Sequence, residues 1–249
     1  MTNEERAKTL KSLRLTELLD NWDETLATAD KSRMSHAALL SHVIEREYKT
    51  KRENARQHRL NRARIPELLL METFPFDKQP KLDAKNVLSI YDSFDYMSKA
   101  QNIVFLGRTG CGKSGLATGF LIDAINRGHS GRFILFHELV DELRVAAADL
   151  SEAKVLKKFL AYDCLLIDEL GYVEVEPAQV GLFFTLMHKR HRKKPTLITS
   201  NLGFDDWRSF LKNDHLAAAL VDRITDNSHV VHMKGCRSLR DRIKPDNEQ

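Results

Sequence analysis

The stretch GRTGCGKS, Gly107 to Ser114, is the tightest constraint this chain places on its own fold. It fits the spacing G-x-x-x-x-G-K-[ST], with apolar IVFL (103–106) leading in. An amphipathic run that buries Leu116, Phe120, Leu121 and Ala124 leads out until Gly128. Glycines let the backbone turn inward, so that successive N–H groups point at one anion. The N-terminus of the following helix adds roughly half a positive charge. Gly107, Arg108, Thr109, Gly110, Cys111, Gly112, Lys113, Ser114 and Gly115 therefore read as a phosphate cradle. Lys113 is expected to contact the β- and γ-phosphates of a nucleotide, and Ser114 to ligate Mg2+. The alternative is a glycine turn with an incidental Lys-Ser, which leaves the flanking strand and helix unexplained.

From Asn102 onward, short apolar strands alternate with amphipathic helices. FILFH precedes a helix near 138–149, and CLLID (164–168) precedes one opening at Pro177. TLITS (196–200) and HVVHM (229–233) follow, with helices between them. This rhythm predicts an α/β fold whose parallel sheet is covered by helices on both faces, with the ligand at the carboxyl ends of the strands. CLLIDEL delivers Asp168 and Glu169 to that edge. Asp168 is expected to hold Mg2+ through water, and Glu169 to act as general base on an attacking water. Acids also open helices because they suit the dipole, but here they follow a complete phosphate loop. FILFH lies between the two motifs in the chain, so a further strand is expected between theirs in the sheet, as in P-loop ATPases. Asn201, just beyond TLITS, is either a plain turn residue or an amide that orients water and senses the γ-phosphate. Arg223, in AAALVDRI, is either half of a surface Asp-Arg pair or an arginine finger for a neighbour's γ-phosphate, which requires an oligomer.

The first third, to about residue 65, reads as helix only. Ser35 is placed as the N-cap of a helix carrying Leu39, Leu40, Val43 and Ile44. Between Lys49 and Arg64, seven Lys or Arg accompany one acid, Glu53. Lys49, Arg52, Arg56 and Arg59 share one helix face, with Arg62 close to it. Such a face is either merely solvated or a contact to the backbone of duplex DNA. A second cluster, His188 to Lys194, adds Lys189, Arg190, Arg192 and Lys193 to the DNA reading, although cations also suit a helix C-terminus. Pro66, Pro75 and Pro80 mark a linker, giving a small helical domain over 1–67 and a larger one over 68–249. The net charge of +4 permits a polyanionic partner. Cys111, Cys164 and Cys236 are scattered singly, which fits a reducing compartment rather than a disulfide framework or zinc site. The N-terminus lacks the apolar core of a signal peptide, and no run approaches the ~18 apolar residues of a membrane span. The expectation is a soluble cytoplasmic protein.

From GRTGCGKSGLA through LLIDELGY, HKRHRKKPTLITSNLGFDDW, LVDRI and MKG, the chain resembles the IstB-type transposition helper ATPases. These belong to the AAA+ class and are related to DnaC-like replicative helicase loaders. LRLTELLDNW, HVIEREYKTKRENARQHRLNRARIP and FPFD resemble that family's helical N-terminal domain and linker. The resemblance thus covers nearly the whole chain. It implies an oligomer dependent on ATP and Mg2+ that binds duplex DNA with little sequence specificity. It further implies selection of insertion targets and recruitment and stimulation of a partner transposase. Carried over by position, Gly107 to Ser114 are the Walker A loop, Asp168 and Glu169 the Walker B pair, Asn201 sensor one and Arg223 the finger. The family's loop usually reads GPPGTGKTHLA, so Arg108, Thr109, Cys111, Ser114 and Gly115 depart from it while the three loop glycines and Lys113 remain. Its sensor-two segment usually reads GESYR; here it is GCRSLR, with Arg240 taken as the nucleotide contact and Arg237 as the alternative. A helicase loader, which shares the whole ATP site, is the second reading. From other classes, a small-molecule P-loop kinase is opposed by the Asp-Glu pair, Asn201 and the basic helices. A non-hydrolysing scaffold is opposed by Glu169.

Overall fold

The computed structural model describes residues 1–172, 175, 177–212 and 214–239, in two compact units, 1–58 and 59–249.

The first unit is built from α1 (Asn3–Ser12), α2 (Thr16–Asp20), α3 (Trp22–Lys31) and most of α4 (His36–Ala63). Thr2 and Glu5 cap α1 reciprocally, side chain to backbone in both directions. Ser35 accepts from the Ala38 N–H at 3.2 Å and so opens α4, as the sequence predicts. The buried carboxylate of Glu47 on α4 accepts from the Leu18 N–H at 2.8 Å, in the first turn of α2. Arg46 donates to Glu17 at 2.8 Å beside it. The apolar set of α4 splits: Leu39 and Val43 are half-buried, whereas Leu40 and Ile44 face solvent.

The units divide inside α4 rather than at the prolines. Leu60 and Ala63, at its end, are buried with Met71, Val87, Tyr96 and Phe120 of the second unit. That unit holds a parallel sheet of β1 (Asn102–Leu106), β2 (Gly131–Leu135), β3 (Cys164–Leu170), β4 (Thr196–Ser200) and β5 (Ser228–His232), in the order β2-β3-β4-β1-β5. The centres of β1 to β4 are apolar runs because both faces are covered there. Ile103, Phe105, Leu166 and Leu197 pack on one side, toward α5 (Ala84–Ser93), α6 (Asp95–Ser98) and α7 (Lys113–Asn126). Val104, Leu165, Ile167 and Ile198 pack on the other. There they meet α8 (Phe136–Ala148), α9 (Glu152–Ala161), α10 (Pro177–Arg190), α11 (Phe204–Leu211) and α12 (Asp214–Thr225).

A strand does separate β1 from β3, but it is β4; β2, from FILFH, lies at the sheet edge. FILFH itself turns helical at Phe136, whose ring is buried against Phe183 and Phe210 at 5.2 and 5.8 Å. Among the described residues, no helix is long and apolar enough to cross a membrane.

Candidate functional site

The loop between β1 and α7 turns on Gly110 and Gly112, which take φ of +81° and +98°. A Cβ at Gly107 would lie 2.8 Å from Met233 Cβ, so glycine is required there as well. The Lys113 ammonium folds onto the loop, donating to the carbonyls of Gly107 at 2.8 Å and Arg108 at 3.0 Å. Ser114 Oγ donates to Asp168 Oδ1 at 2.9 Å. Cys111 turns its side chain beneath the loop, where it is buried, and offers a ligand only its backbone. Arg108 and Thr109 are exposed.

Successive strand residues point to opposite faces, so adjacent Asp168 and Glu169 need a special device to serve one site. The β3–β4 register supplies it: Ile167 pairs with Ile198 and Leu170 with Ser200, which leaves a bulge between, and Glu169 has φ +61°. Thr199, at the end of β4, locks this bulge. Its hydroxyl accepts from the Glu169 N–H at 3.0 Å and donates to Asp168 Oδ1. Nothing local in the sequence marks Thr199, which lies two places before the expected Asn201. Asn201 is half-buried beside Gly171, and its Oδ1 is buried without a hydrogen-bond partner among the described residues.

Ser114, Glu169 and Thr199 line a cavity of about 450 Å³. Its opposite wall is apolar: Leu69, Leu70, Phe74 and Pro75 from the proline-rich linker, with Leu239. Phe74 packs directly on Gly112, and Leu69 on Gly115. A polar lining from the glycine loop, Lys113, Ser114 and Thr199, together with an apolar wall, suits a ligand with an anionic tail and an aromatic head. The linker is therefore part of the site, which the sequence reading did not anticipate. Gln79, buried, braces it. Its Nε2 donates to Cys111 O at 3.0 Å and Arg237 O at 2.7 Å, and its Oε1 accepts from the Arg237 N–H at 2.9 Å. The Leu239 N–H donates to Gly110 O at 2.8 Å, so the C-terminal segment is docked on the loop. Arg240 lies outside the described residues. Thr109 Oγ1 and the Tyr172 hydroxyl meet at 2.7 Å across the cavity mouth.

Arg223 is not among the residues lining this cavity. It ends α12 half-buried, with Nε donating to His188 Nδ1 at 2.9 Å. The basic residues fare unevenly. On α4, Lys49, Arg52 and Arg62 are exposed. Arg56 is held by Glu53 through two hydrogen bonds of 2.8 and 2.6 Å, and this contact holds the Glu53 carboxyl below its usual range. Arg59 is half-buried, with Nε donating to Ile125 O at 3.4 Å near the end of α7. In the second cluster, Lys189 and Lys193 are exposed, and Arg192 pairs with Asp226 at 2.9 Å.

Arg190 overturns the expectation of a DNA contact, because it is 1% exposed. Its guanidinium donates to Thr196 Oγ1 and to the carbonyls of Phe159, Tyr162, Asp163 and Pro195. It fastens the end of α9 and the starts of β3 and β4 to α10.

A model of the IstB-like ATP binding protein family matches residues 8–246. The chain belongs to that family. Its relatives include an ATP-binding protein of insertion sequence IS5376 from Geobacillus stearothermophilus, 29% identical over 90% of this chain and 88% of that protein. Another, of insertion sequence IS232 from Bacillus thuringiensis subsp. berliner, is 28% identical over 96% of each. Among solved structures, DnaI shares the fold with a TM-score of 0.53 and 19% identity, covering 64% of this chain and 94% of that one. AMPPCP-bound DnaA from Aquifex aeolicus gives a TM-score of 0.53 and 18% identity, covering 68% and 50%. The fold is thus that of a P-loop AAA+ protein, and the family is one of ATP-binding proteins.

Proposed function

We propose that the chain is an ATP-hydrolysing assembly factor for transposition. It oligomerises on duplex DNA, selects the insertion site and recruits and stimulates its transposase, and hydrolysis resets the assembly. The observation that carries this reading is the junction of Ser114, Asp168, Thr199 and Glu169 at the floor of the ATP site. A pocket that only bound nucleotide would not need a bulge to bring a second carboxylate to the phosphate end.

Bound ATP supplies the phosphoryl group, and bound Mg2+ the charge that stabilises its transfer. The residues present fit both. Ser114 and Asp168 already meet and would hold the metal. No group of three His, Cys, Asp or Glu converges among the described residues, so the remaining ligands would come from nucleotide and water. Lys113 exchanges the Gly107 and Arg108 carbonyls for phosphate oxygens. Thr199 fixes Asp168 and the backbone of Glu169, and the Glu169 carboxylate takes the proton of the attacking water. The Asn201 Oδ1, without a hydrogen-bond partner among the described residues, is an acceptor that can hold such a water in place. Arg223 stands outside its own chain's cavity and completes the site of the next subunit.

Of the candidate phosphate contacts, Lys49, Arg52, Arg62, Lys189, Arg192 and Lys193 are exposed, Arg192 beside Asp226. If about six phosphates are neutralised per unit, log affinity falls against log salt with a slope of about −5. The insertion-sequence relatives span 90–96% of the chain, which favours a transposition helper over a helicase loader. The test is particle size and ATP turnover, with and without random duplex DNA, for wild type, Lys113→Ala, Glu169→Gln and Arg223→Ala. ATP and DNA together should drive assembly, Glu169→Gln should trap it and Lys113→Ala abolish it. A monomer whose turnover ignores both DNA and the Arg223 change would overturn the reading.

A further inference from the structure

Arg223 is gripped by two residues of α10, Phe184 and His188. Phe184 and His188 stand one turn apart on α10, with rings parallel to within 6° and centroids 6.0 Å apart. The Arg223 guanidinium carbon lies 5.1 Å from the centre of the Phe184 ring, and Nε donates to His188 Nδ1 at 2.9 Å. An arginine Nε is always a donor, so His188 Nδ1 is the acceptor and the ring carries its proton on Nε2. The backbone beneath is tied as well: His191 Nδ1 meets Arg223 O at 3.0 Å, and His191 Nε2 lies 3.3 Å from Asp226. Nη1 reaches Ala219 O at 3.4 Å, and Nη2 has no partner among the described residues.

A long arginine side chain loses several rotamers when it is fixed. A group that must meet a phosphate on another subunit works best when that ordering is already in place. The grip here has a specific chemistry. An aromatic face and a neutral nitrogen hold the guanidinium and its Nε edge without cancelling its charge. A carboxylate in the same place would compete with the incoming phosphate.

We propose that Phe184 and His188 are positioning residues that present the Nη2 edge of Arg223 to the ATP site of the adjoining subunit. The proposal rests on reading Arg223 as the finger. It is tested by mixing subunits of the full chain on duplex DNA. Glu169→Gln assembles and keeps a finger but does not turn over ATP, and Arg223→Ala keeps a site but has no finger, so turnover in the mixture reports a finger acting across the interface. Placing His188→Leu in the Glu169→Gln chain should lower that turnover about tenfold with KM for ATP unchanged. This is well short of the roughly thousandfold that a lost finger costs, because the guanidinium remains and visits its working rotamer less often. His188→Asn, whose Oδ1 stands where Nδ1 does, should restore most of the loss. Phe184→Leu, which keeps apolar volume, should show the same pattern if His188→Leu folds poorly.

Within one chain, His188→Leu should add nothing to Arg223→Ala. A mixture indifferent to His188→Leu, or an equal His188 effect in the Arg223→Ala background, would overturn the proposal. An Arg223→Ala chain with full turnover would instead refute the finger itself, before His188 is touched.

Discussion

Replacing Arg190 with Met should weaken the fold rather than the grip on DNA. The substitution keeps the buried stem and deletes the fork that holds five acceptors. Tyr162 O and Asp163 O are only part-buried and can turn to water, and the Thr196 hydroxyl can rotate. Phe159 O and Pro195 O are buried and would be left bare, each costing about 1–3 kcal/mol. Some of that loss is offset, because the site pays for a buried charge: burial pushes the Arg190 pKa down to about 10, still charged at neutral pH. A net loss of about 3 kcal/mol lowers Tm by about 6–12 °C in a unit of this size. Thermal melts of the full chain read the stability, and DNA titrations at several salt concentrations read the contact. Lys193→Ala is the opposite control, expected to leave Tm alone and flatten the salt slope by about 0.9. An Arg190→Met protein that melts with wild type, but shows the flattened slope, would mean that the guanidinium meets phosphate and that the buried geometry is wrong.

Thr199→Val should lower kcat for ATP about tenfold with little change in KM, because the bond that orients Asp168 and Glu169 is lost while the phosphate loop stays intact. Thr199→Ser should recover it, and an unchanged kcat would remove Thr199 from the site. Gln79→Leu deletes all three bonds that brace the loop against the C-terminal segment, so ATP affinity should fall about tenfold and cleavage after residue 236 by protease should quicken. Wild-type affinity would show that the segment docks without the brace. Asp163 offers a pH test. Burial opposes its charge, but the Ser130 N–H and hydroxyl and Lys194 outweigh that and hold the carboxyl below its usual range. A depressed carboxyl stabilises the fold above its unfolded pKa of about 3.9 and loses that contribution as pH falls through the folded value. The gap in urea midpoint between wild type and Asp163→Asn should therefore hold steady from neutral pH to about pH 5 and shrink below about pH 4. A gap that persists unchanged at the acid end would rule out an ionic cause.

What the sequence made legible was whatever sits together in the chain. Gly107 to Ser114 form one turn, and the strand before and the helix after it are set by local period, so motif and context could be read together. The Asp168–Glu169 pair was legible for the same reason. Thr199 was not, because its role depends on β4 lying beside β3, and nothing local to TLITS states that neighbour. Gln79 and Phe74 were hidden likewise: they touch the loop from more than thirty residues away, inside a stretch whose prolines read only as a break.

The run His188 to Lys194 misled in a more instructive way, since seven consecutive polar residues look like one patch. A helix does not keep neighbours together, however; it sends them around its axis. His188 and Lys189 are exposed on the last turn of α10, and Arg192 and Lys193 are exposed in the turn that follows it, with His188 reaching Arg223 and Arg192 reaching Asp226. Arg190 goes inward, and here a signal did exist. Val180, Phe183, Met187 and Arg190 recur at intervals of three, four and three, and all four are buried. Arg190 is thus the last member of the apolar stripe of α10, placed where that helix runs out of N–H groups and neighbouring chain ends expose carbonyls. A cation at the inner end of such a stripe has five donors to satisfy and backbone oxygens within reach. Read by phase rather than by charge, the same sequence assigns it to the core.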